Sequence, residues 1–420
     1  MKKFKPLVWL VCVLMVMSIF VVAACKTEKD PGGTPGVTDP KPNPKPSIPE
    51  PNKNGVVTAD MWKEGYPDIY ASYEMNRSNS DAGDYLVQAP YLITNYSGSG
   101  FAKDYKEARG HPFTLQDASA TERPHALANC LTCKSPEFNA FVNKDGVGMY
   151  SKDFGEIFAL VTEPVSCYSC HANTGDELVV IGGYLNDALG SDKSKVAAEM
   201  LACGQCHNEY YFDPATKAVT LPWTGLDKMN PDDMLAYYNS MSTPFVDFVN
   251  PISGAGMLKV QHPELETVMG SGSKIMAYMD FSCSDCHMGT AKNSAGEEYV
   301  SHFFQSPLKN ADMLANSCNT LGCHTDIVKQ TGDLQKKVKE REKEVGLKIA
   351  SLHEQIGAAV AAGSKTDAEL AELRSLVRDA QWYWDFVRVE NSHGAHNSTF
   401  ALELLSKAEK LADQGLAKLK

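Results

Sequence analysis

The spacing of hydrophobic residues divides most of the chain into two unlike regions, residues 56–325 and residues 326–420. In the first, hydrophobic residues keep neither a helical nor a strand period for long, and Gly, Pro, Asn and Asp interrupt them. This pattern predicts no long helix and no run of strands. We therefore expect the first region to need something other than regular helix and sheet packing for its core.

The C-terminal region carries the pattern of three helices. In the first helix, hydrophobic residues recur three, four or seven positions apart, and Gly363 is typical of its end. Thr366, with Glu369 three residues later, is a capping box that predicts the start of the second helix. The third begins at about Phe400, and Gly415 is an unfavourable residue within its last turns. We expect these helices to form core packing or a subunit interface rather than a ligand site. Their hydrophobic positions are Leu334, Val338, Val345, Ile349, Leu352, Ile356 and Val360 in the first, Leu370, Leu373, Leu376, Val377, Ala380 and Trp384 in the second, and Leu404, Leu405, Ala408, Leu411, Leu416 and Leu419 in the third.

Residues 1–24 have the composition of a bacterial export signal. A basic start precedes a mostly apolar run from Leu7 to Ala24. The small residues before Cys25 resemble a lipobox, where cleavage leaves this cysteine as a lipid-modified N-terminus. An uncleaved membrane helix is the alternative interpretation. Both predict export, and the lipobox predicts a lipid anchor on the outer face of the cytoplasmic membrane.

A proline-rich segment, residues 25–55, follows the signal. Eight prolines lie between Lys26 and Gly55 among mostly polar residues. This composition cannot bury apolar surface and favours extended conformations. It predicts a semi-rigid tether between the anchor and the folded body.

Composition and charge exclude several classes of protein. The chain is 43% hydrophobic and 22% charged, so most of it can bury a core, which excludes a wholly disordered or fibrous protein. The formal net charge is −12, and loss of the signal removes three lysines and no acid, which makes it −15. This acidic balance argues against a nucleic-acid partner, which would require clustered Lys and Arg.

Ten of the twelve cysteines form five close pairs, once Cys12 in the signal and Cys25 are set aside. Three pairs have the sequence Cys-x-x-Cys-His. A fourth has two additional residues between its cysteines and is also followed by histidine, and the fifth is followed by lysine. The pairs, each with the residue that follows, are Cys130/Cys133/Lys134, Cys167/Cys170/His171, Cys203/Cys206/His207, Cys283/Cys286/His287 and Cys318/Cys323/His324.

Cys-x-x-Cys-His is the attachment motif of c-type haem. Two thiols bond the vinyl groups of one haem, and the adjoining histidine binds its iron. Zinc also binds Cys-x-x-Cys, but it gives no reason for a histidine directly after four pairs. Disulfides, the other alternative outside the cytoplasm, explain neither the histidines nor such tight loops. The pairs predict five covalent haems, which would supply the core of the irregular region and relay electrons.

Lys134 occupies the place of the iron-binding histidine in the first pair. A lysine binds iron only as the neutral amine, so the metal and burial must lower its pKa. Relay haems need two strong ligands, so this costly exception indicates an iron kept open for reaction. The alternative is a haem that takes another ligand, such as His125.

The histidine count permits four relay haems and one open site. Four histidines follow the cysteine pairs and seven remain, while four relay haems with two histidines each would use four of the seven. The seven are His111, His125, His262, His302, His353, His393 and His396.

From about Gly65 to the C-terminus, the sequence resembles the ammonia-forming cytochrome c nitrite reductases, a pentahaem family. The resemblance rests on five motifs. They are Cys130–Lys134 followed by Ser135-Pro136, the run from Cys203 to Phe212, Lys259-Val260-Gln261-His262-Pro263-Glu264, Gln381-Trp382-Tyr383-Trp384-Asp385, and Ser392-His393-Gly394-Ala395-His396. Together with the patterns above, the resemblance implies a mainly α protein with a compact multihaem body, little sheet and long C-terminal helices in the same domain.

The resemblance implies roles for individual residues. Lys134 binds the active-site iron, and Arg123, Tyr210 and His262 surround its open side. One Ca²⁺ lies beside it, bound by the side chains of Glu209 and Gln261 and the carbonyls of Tyr210 and Lys259. The second ligands of the haems at Cys167, Cys203 and Cys283 are His302, His111 and His396 respectively. His393 is an alternative to His396, because the spacing is shorter than expected.

These roles agree with the chemistry of nitrite, an anion that takes up six electrons and eight protons to become ammonium. Arg123 and His262 offer positive charge and protons as the oxygens leave. Tyr210 can stabilise radical or hydrogen-bonded intermediates. Hard oxygen ligands are those that Ca²⁺ requires, and the ion would hold Tyr210 and Gln261 in place.

Two departures from the family pattern fall on one haem. Ser273 stands where the family supplies a second histidine for the haem at Cys318 and Cys323, and that pair is also the stretched one. We infer altered ligation of this iron, with Met269, Met276 or Met279 able to supply sulfur. A sulfur ligand would raise its potential relative to two histidines.

The predicted function is dissimilatory reduction of nitrite to ammonium, with hydroxylamine and sulfite as slower substrates. A non-catalytic multihaem electron carrier is one alternative, opposed by Lys134 and the residues around it. A related hydroxylamine or sulfite reductase is another. The resemblance further implies a homodimer formed through the C-terminal helices, and a membrane quinol-oxidising multihaem cytochrome as electron donor.

Overall fold

The computed structural model describes residues 45–270, 281–310, 314 and 326–420. Residues Pro46–Lys420 form one compact unit. Within the described ranges, no helix is both long and apolar enough to cross a membrane. The predicted signal, Cys25 and most of the tether lie outside those ranges, as do Ser273, Met276, Met279, Cys318, Cys323 and His324.

The region before Asp326 contains only short helices and minimal strands among its described residues, as predicted. Its helices α1–α13, in chain order, are Ala59–Trp62, Pro67–Glu74, Tyr85–Gln88, Tyr91–Asn95, Thr114–Ala120, Pro136–Asp145, Phe154–Phe158, Cys167–His171, Gly183–Leu189, Ala198–Gly204, Pro231–Ser240, Glu264–Met269 and Cys283–His287. Its strands β1–β6 are Tyr211–Phe212, Val219–Thr220, Phe248–Val249, Gly256–Met257, Thr290–Lys292 and Glu298–Val300. They pair consecutively as three antiparallel two-stranded sheets, with Tyr211 opposite Thr220, Phe248 opposite Met257 and Ala291 opposite Tyr299.

Caps and prolines limit these short helices. Helix α11 begins with Pro231 in its first turn, and the Asn230 side chain accepts a hydrogen bond of 3.0 Å from the Asp233 N–H. Helix α6 likewise starts at a proline and ends at Gly146, whose φ of 87° is costly for other residues. Local signals of this kind allow many changes of direction within a short length of chain.

The C-terminal region forms the three predicted helices: α14 is Ile327–Ala362, α15 is Asp367–Arg388 and α16 is Ser398–Leu419. Asp326 caps the first, and Gly363 ends it with a φ of 59°. The capping box of Thr366 and Glu369 is present at the start of α15. Helix α16 continues through Gly415 to Leu419. A Cβ atom at position 415 would lie within 3 Å of the Leu352 side chain of α14, so glycine allows the two helices to approach closely here. The unfavourable glycine is thus a point of close helix contact.

One hydrophobic core joins the two regions. Trp382 and Trp384 of α15 are fully buried and lie in one cluster with Leu92, Met229 and Met257 of the body. The predicted stripe of α14 is buried at five positions, whereas Leu334 and Val360 remain 42% and 43% exposed. A smaller cluster, which contains Leu131, Phe138 and Phe154, supports the cysteine pair at Cys130. The regular helices therefore form the support against which the irregular body is held.

Candidate functional site

The described cysteine pairs lie on or beside single turns of helix. Cys167–His171 is helix α8, Cys283–His287 is helix α13, and the pair at Cys203 spans the end of α10. A capping box begins both α8 and α13, formed by Ser166 with Ser169 and by Ser282 with Asp285. None of the eight cysteines in the four described pairs forms a disulfide bond. Each turn therefore presents two thiols and the following residue from one compact segment.

The pair at Cys203 lies at the centre of this group. A hydrogen bond from Cys206 lowers the pKa of the Cys133 thiol to about 7. The hydrogen bond with Cys133 and burial raise the pKa of Cys206, and the charge of Cys170 adds to this effect. A hydrogen bond with Cys203, followed by burial, raises the pKa of the Cys283 thiol. These interactions place the pair at Cys203 next to the three other described pairs, an arrangement suited to passing electrons between neighbouring cofactors.

Cys286 is the second cysteine of the pair on α13, and the sequence predicts that it bonds the same haem as Cys283. The structure places it three residues after Cys283 on that single turn, partly buried and directly before His287. Cys283 forms a hydrogen bond with Cys203, and this contact already places the pair on α13 beside the pair at Cys203. The attachment of haem to Cys286 therefore stays a prediction from the motif.

The structure brings together the three histidine pairs that the sequence predicts. The ring centres lie 6.2 Å apart for His171 and His302, 6.5 Å for His111 and His207, and 5.9 Å for His287 and His396. A metal–imidazole bond is about 2 Å long, so rings on opposite sides of one iron have centres about 6 Å apart. All three separations fit a shared iron.

Hydrogen bonds fix the ring orientations in these pairs. The Nδ1 atoms of His171, His302 and His287 lie 3.1, 3.0 and 2.9 Å from the backbone carbonyls of Glu177, Val300 and Gln305 respectively. Nδ1 of His396 lies 2.6 Å from the carboxylate of Glu390. Metal-binding histidines usually donate one ring N–H in this way and bind with the other nitrogen. The Nε2 atoms are thus left for iron, and the residues present fit haem.

The other histidines occupy different environments. His353 is fully buried, and both ring nitrogens are satisfied, by Ser253 at 2.8 Å and Gln381 at 3.0 Å. It is therefore a structural histidine. His125 Nδ1 lies 2.6 Å from the Arg123 carbonyl. His396, rather than the alternative His393, is the residue whose ring lies beside His287.

Lys134 and His262 lie close enough to interact electrostatically. The backbone N–H of Lys134 donates to the Leu131 carbonyl at 2.9 Å, and its own carbonyl accepts from Thr114 Oγ1 at 2.9 Å. Burial lowers the pKa of His262 to about 4, which Glu264 opposes and the charge of Lys134 reinforces. His262 Nδ1 is buried without a hydrogen-bond partner, and the ring centre lies 6.2 Å from that of His207. A polar atom is therefore available beside the lysine-ended pair.

Arg123 is held by contacts on two sides. Its guanidinium carbon lies 4.5 Å from the ring centre of Phe101, and Nε donates to Thr121 Oγ1 at 3.0 Å. Thr121 Oγ1 in turn donates to Asp104 at 2.7 Å. These contacts restrain a long side chain that would otherwise adopt many rotamers.

Tyr210 completes the group around the lysine-ended pair. Burial and the neighbouring Cys133 and Cys130 raise the pKa of the Tyr210 hydroxyl well above its usual value, while Arg123 lowers it. These effects place the tyrosine within reach of both the arginine and the cysteine pair. Arg123, Lys134, Tyr210 and His262 therefore come together from separate segments of the chain.

The four predicted calcium ligands lie next to one another. Glu209 is 1% exposed, and its carboxylate accepts hydrogen bonds from the Gln261 backbone N–H at 2.6 Å and the Tyr238 hydroxyl at 3.2 Å. Gln261 Nε2 donates to the Lys259 carbonyl at 3.0 Å. Tyr210 adjoins Glu209 in the chain, so the described segments place all four residues at one locus.

Two more buried carboxylates, which the sequence did not indicate, surround this locus. Burial raises the pKa of Glu266 to about 8 and that of Asp247 to about 6. Burial also raises the pKa of Glu209, and the charges of Glu266 and Asp247 add to this effect. Glu266 Oε2 is buried without a partner. Such a concentration of carboxylates favours a bound cation. The described residues contain no group of three or more His, Cys, Asp or Glu arranged for a metal, so the fit depends on the amide and carbonyl oxygens.

The side chain of Lys259 has a separate structural role. Its Nζ is buried, lies 3.1 Å from Asp385 of α15 and donates to the Val260 carbonyl at 2.6 Å. The rings of Tyr96, Phe101 and Tyr105 surround it at 4.8, 4.9 and 5.7 Å. This contact links the segment that carries the predicted calcium ligands Lys259 and Gln261 to the C-terminal helices. It also gives Asp385, the last residue of the motif Gln381–Asp385, a structural role.

Comparison with known proteins agrees with this geometry. The family model described as cytochrome c552 matches residues 58–420. The cytochrome c nitrite reductase of Desulfovibrio desulfuricans ATCC 27774, whose catalytic subunit NrfA is described with two calcium sites, is similar at 27% identity, with 87% of this chain and 86% of that chain covered and a TM-score of 0.78.

Two larger cytochromes show a much weaker likeness. The outer cell wall cytochrome OcwA is 19% identical over 72% of this chain and 48% of its own, with a TM-score of 0.38. The undecahaem cytochrome from the S-layer of Carboxydothermus ferrireducens is 17% identical over 73% and 41%, with a TM-score of 0.35. Neither resembles this chain closely enough to inform its function.

Proposed function

The chain belongs to the cytochrome c552 family, and from this membership we propose that it reduces nitrite to ammonium at a haem bound by Cys130, Cys133 and Lys134. It is an oxidoreductase of the cytochrome c nitrite reductase type. The observation that carries the finer proposal is the convergence of Arg123, Tyr210 and His262 on the one described cysteine pair that ends in lysine. A pure electron carrier has no need of such a group.

The residues proposed to hold haem are those of the five cysteine pairs. His302, His111 and His396 are proposed as the second ligands at Cys167, Cys203 and Cys283, supported by the ring separations near 6 Å. When bound, the haems supply electrons in single steps and, at Lys134, an iron position open to an anion. The second ligand of the haem at Cys318 and Cys323, which lie outside the described residues, is left open between methionine sulfur and another donor.

Arg123 provides the positive charge for an anionic substrate. Its guanidinium is held by Phe101 and Thr121, so it is positioned before nitrite binds. A fixed cation of this kind can attract nitrite into a protein that is acidic overall, because local charges dominate the field within a pocket. It also stabilises negative charge on the oxygens as they leave.

His262 and Tyr210 supply hydrogen bonds and protons. Burial lowers the pKa of His262 to about 4, so the ring is neutral near pH 7 and acts through its N–H and free lone pair. Burial raises the pKa of Tyr210 far above neutral, so its hydroxyl stays protonated and donates a hydrogen bond. His262 Nδ1 has no hydrogen-bond partner in the protein, so it can exchange a proton with substrate oxygen or nitrogen without first giving one up.

Ca²⁺ is proposed to be bound by Glu209, Gln261 and the carbonyls of Tyr210 and Lys259. Tyr210 adjoins Glu209, and His262 adjoins Gln261, so an ion held by both segments would fix both active-site side chains at once. The three buried carboxylates near the locus support a cation there. The ion would position residues rather than contact the substrate.

Several cellular features remain part of the proposal. We propose export by residues 1–24, a lipid anchor at Cys25, the tether 25–55, and an outer-face membrane location. A quinol-oxidising multihaem cytochrome is the proposed donor. A homodimer through the C-terminal helices is supported by exposed hydrophobic side chains along α14, namely Val328, Leu334, Leu347 and Val360.

The deciding experiment is anaerobic turnover of the purified pentahaem protein with a reduced dye and nitrite. Ammonium should appear with six electrons consumed per nitrite, and hydroxylamine and sulfite should react more slowly. A carrier would oxidise the dye only with an added acceptor protein and would make no ammonium. That result, from protein with five haems, would reject the proposal.

Lys134→His tests the position of the open iron. The variant should keep five haems by pyridine haemochrome assay, because the cysteines are unchanged, while turnover falls sharply. His353→Gln is a matched control, since it alters a buried histidine that is satisfied by Ser253 and Gln381 rather than by metal. Unchanged activity in Lys134→His would contradict the assignment.

A further inference from the structure

The proposed haem ligands differ in what holds their Nδ1 atoms. His171, His302 and His287 each lie within hydrogen-bonding distance of a neutral backbone carbonyl. His396 instead lies 2.6 Å from a carboxylate oxygen of Glu390. One haem site thus has an anionic partner on one ligand, while the site at Cys167 has only neutral partners.

The Glu390 carboxylate is buried and held in place. The residue is 3% exposed, and its second oxygen accepts a hydrogen bond of 2.6 Å from Ser392 Oγ. The same hydroxyl accepts from the His396 backbone N–H at 3.0 Å. The turn between α15 and α16 therefore closes on itself and directs the carboxylate at the imidazole.

We propose that Glu390 is a positioning residue that lowers the reduction potential of the haem at Cys283 through His396. The proposal rests on the haem ligation put forward above. A carboxylate that accepts the Nδ1–H makes the imidazole a stronger donor through Nε2, and this favours Fe³⁺, which carries one more positive charge than Fe²⁺. Burial strengthens the effect, because little solvent screens the charge.

A weaker version of the arrangement occurs at the neighbouring haem site. Glu264 is also buried, and its Oε2 lies 3.8 Å from Nδ1 of His207, which is an ion-pair distance but too long for a hydrogen bond. Its other oxygen accepts a hydrogen bond of 2.6 Å from Asn391, the residue that follows Glu390. The same turn therefore controls two carboxylates, and we expect the smaller effect at Cys203.

The direction of the effect suits electron flow towards Lys134. The pair at Cys283 adjoins the pair at Cys203, which adjoins the lysine-ended pair. If the haem at Cys283 has the lowest potential of these three and the haem at Cys203 the next lowest, then each transfer towards Lys134 is downhill. Glu390 would set the start of this gradient by electrostatics alone, without contact with the substrate.

The test is Glu390→Gln in the full-length, haem-loaded protein. Redox titration followed by electron paramagnetic resonance and optical spectra should show one low-spin couple displaced to a more positive potential. We expect about a tenfold change in its ratio of oxidised to reduced haem at a fixed potential, equal to about 59 mV for one electron. The couple of the haem at Cys167 is the internal control and should not move.

Two further variants grade the effect. Glu264→Gln should displace a different couple, and by less, because its carboxylate is farther from the ring. Asp232→Asn, which removes one negative charge from an exposed contact with Lys407, should displace none. A uniform shift of all couples in every variant would indicate a general charge effect and overturn the proposal.

His396→Ala separates the two levels of the argument. Loss of one bis-histidine signal with five haems retained would support ligation by His396, and no shift in Glu390→Gln would then overturn the role of Glu390. If all bis-histidine signals persisted, the ligation itself would be wrong, and the tuning proposal would fall with it. Should Glu390→Gln fail to load haem, Glu390→Asp decides. Its shorter side chain should move the same couple positively, and an unmoved couple would overturn the proposal.

Discussion

The irregular body and the C-terminal helices are stabilised in different ways. Helices α14–α16 follow a continuous hydrophobic period, and side chains such as Trp384 and Leu405 fill their shared core. The body changes direction every few residues, and it carries the described cysteine pairs together with His111 and His302, two of the three histidines that face them, while the third, His396, lies in the turn between α15 and α16. The comparison indicates that one region depends on the periodicity of its own side chains, whereas the other depends on the groups it is built to bind.

The strongest test of this difference is removal of the haems. Chain produced without haem attachment should lose the structure of the body, because the facing histidine pairs would have no iron between them and would leave desolvated polar rings. The C-terminal helices should keep much of their helicity. Circular dichroism with limited proteolysis should show protection of residues 327–420 and cleavage before Asp326. Equal protection of both regions would contradict the comparison.

The boundary between the regions should be the most sensitive point of the loaded protein. Asp385→Asn leaves the Lys259 ammonium buried beside Tyr96 and Phe101 without its counter-ion. Breaking a buried pair on one side costs about 3–5 kcal/mol. Denaturant unfolding should show a loss of this size, together with weaker calcium retention, because the Lys259 carbonyl is a proposed ligand.

The matched control for that boundary is Asp232→Asn. Asp232 pairs with Lys407 between an exposed part of α11 and α16, and both side chains are about half exposed. Exposed pairs contribute at most about 1 kcal/mol. If the two variants lost similar stability, the linkage through Lys259 would not be the special contact that the structure indicates.

A smaller effect is expected within the body, at the support of Arg123. Thr121→Ala removes the hydroxyl that accepts from Arg123 Nε and donates to Asp104. A hydrogen bond of this kind contributes about 1 kcal/mol, so kcat/KM for nitrite should fall roughly fivefold. The change should appear mainly in KM if the arginine binds the anion before reaction. Ser119→Ala, on the exposed end of α5, should leave the kinetics unchanged.

Sequence alone predicted the features that follow a local rule. The α14–α16 stripes were evident because buried helices repeat every 3.6 residues, and four of the five cysteine pairs because they keep the Cys-x-x-Cys spacing of haem attachment. No such rule connects Lys259 with Asp385, which are 126 residues apart. Nor could spacing distinguish His353, which is satisfied by Ser253 and Gln381, from a metal ligand. The partner of His396 was equally hidden, since a glutamate six residues away has no fixed position in a turn.

The least change is expected where the C-terminal helices meet at an ionic contact. Glu409 of α16 forms ion pairs with Lys348 and Arg341 of α14, and the hydrogen bond from Lys348, with help from Arg341, lowers its pKa below the usual value. A carboxylate with a lowered pKa stabilises the folded state above its unfolded pKa, and this contribution is lost as the pH falls through the folded value. Glu409→Gln should therefore cost less than about 1 kcal/mol at pH 7, and the difference from the parent should vanish in acid.

That pH dependence distinguishes an ionic contribution from a packing one. Thermal unfolding of Glu409→Gln and the parent chain should converge between about pH 5 and pH 3, because protonation removes the same charge that the substitution removes. Leu405→Ala, a neighbouring core substitution on the same helix, should instead cost about 2–5 kcal/mol at every pH. A constant cost for Glu409→Gln would mean that its side chain acts by packing. In that case helices α14–α16 would be stabilised by hydrophobic packing alone. They would then differ more from the body, which depends on its bound groups, than their ion pairs now suggest.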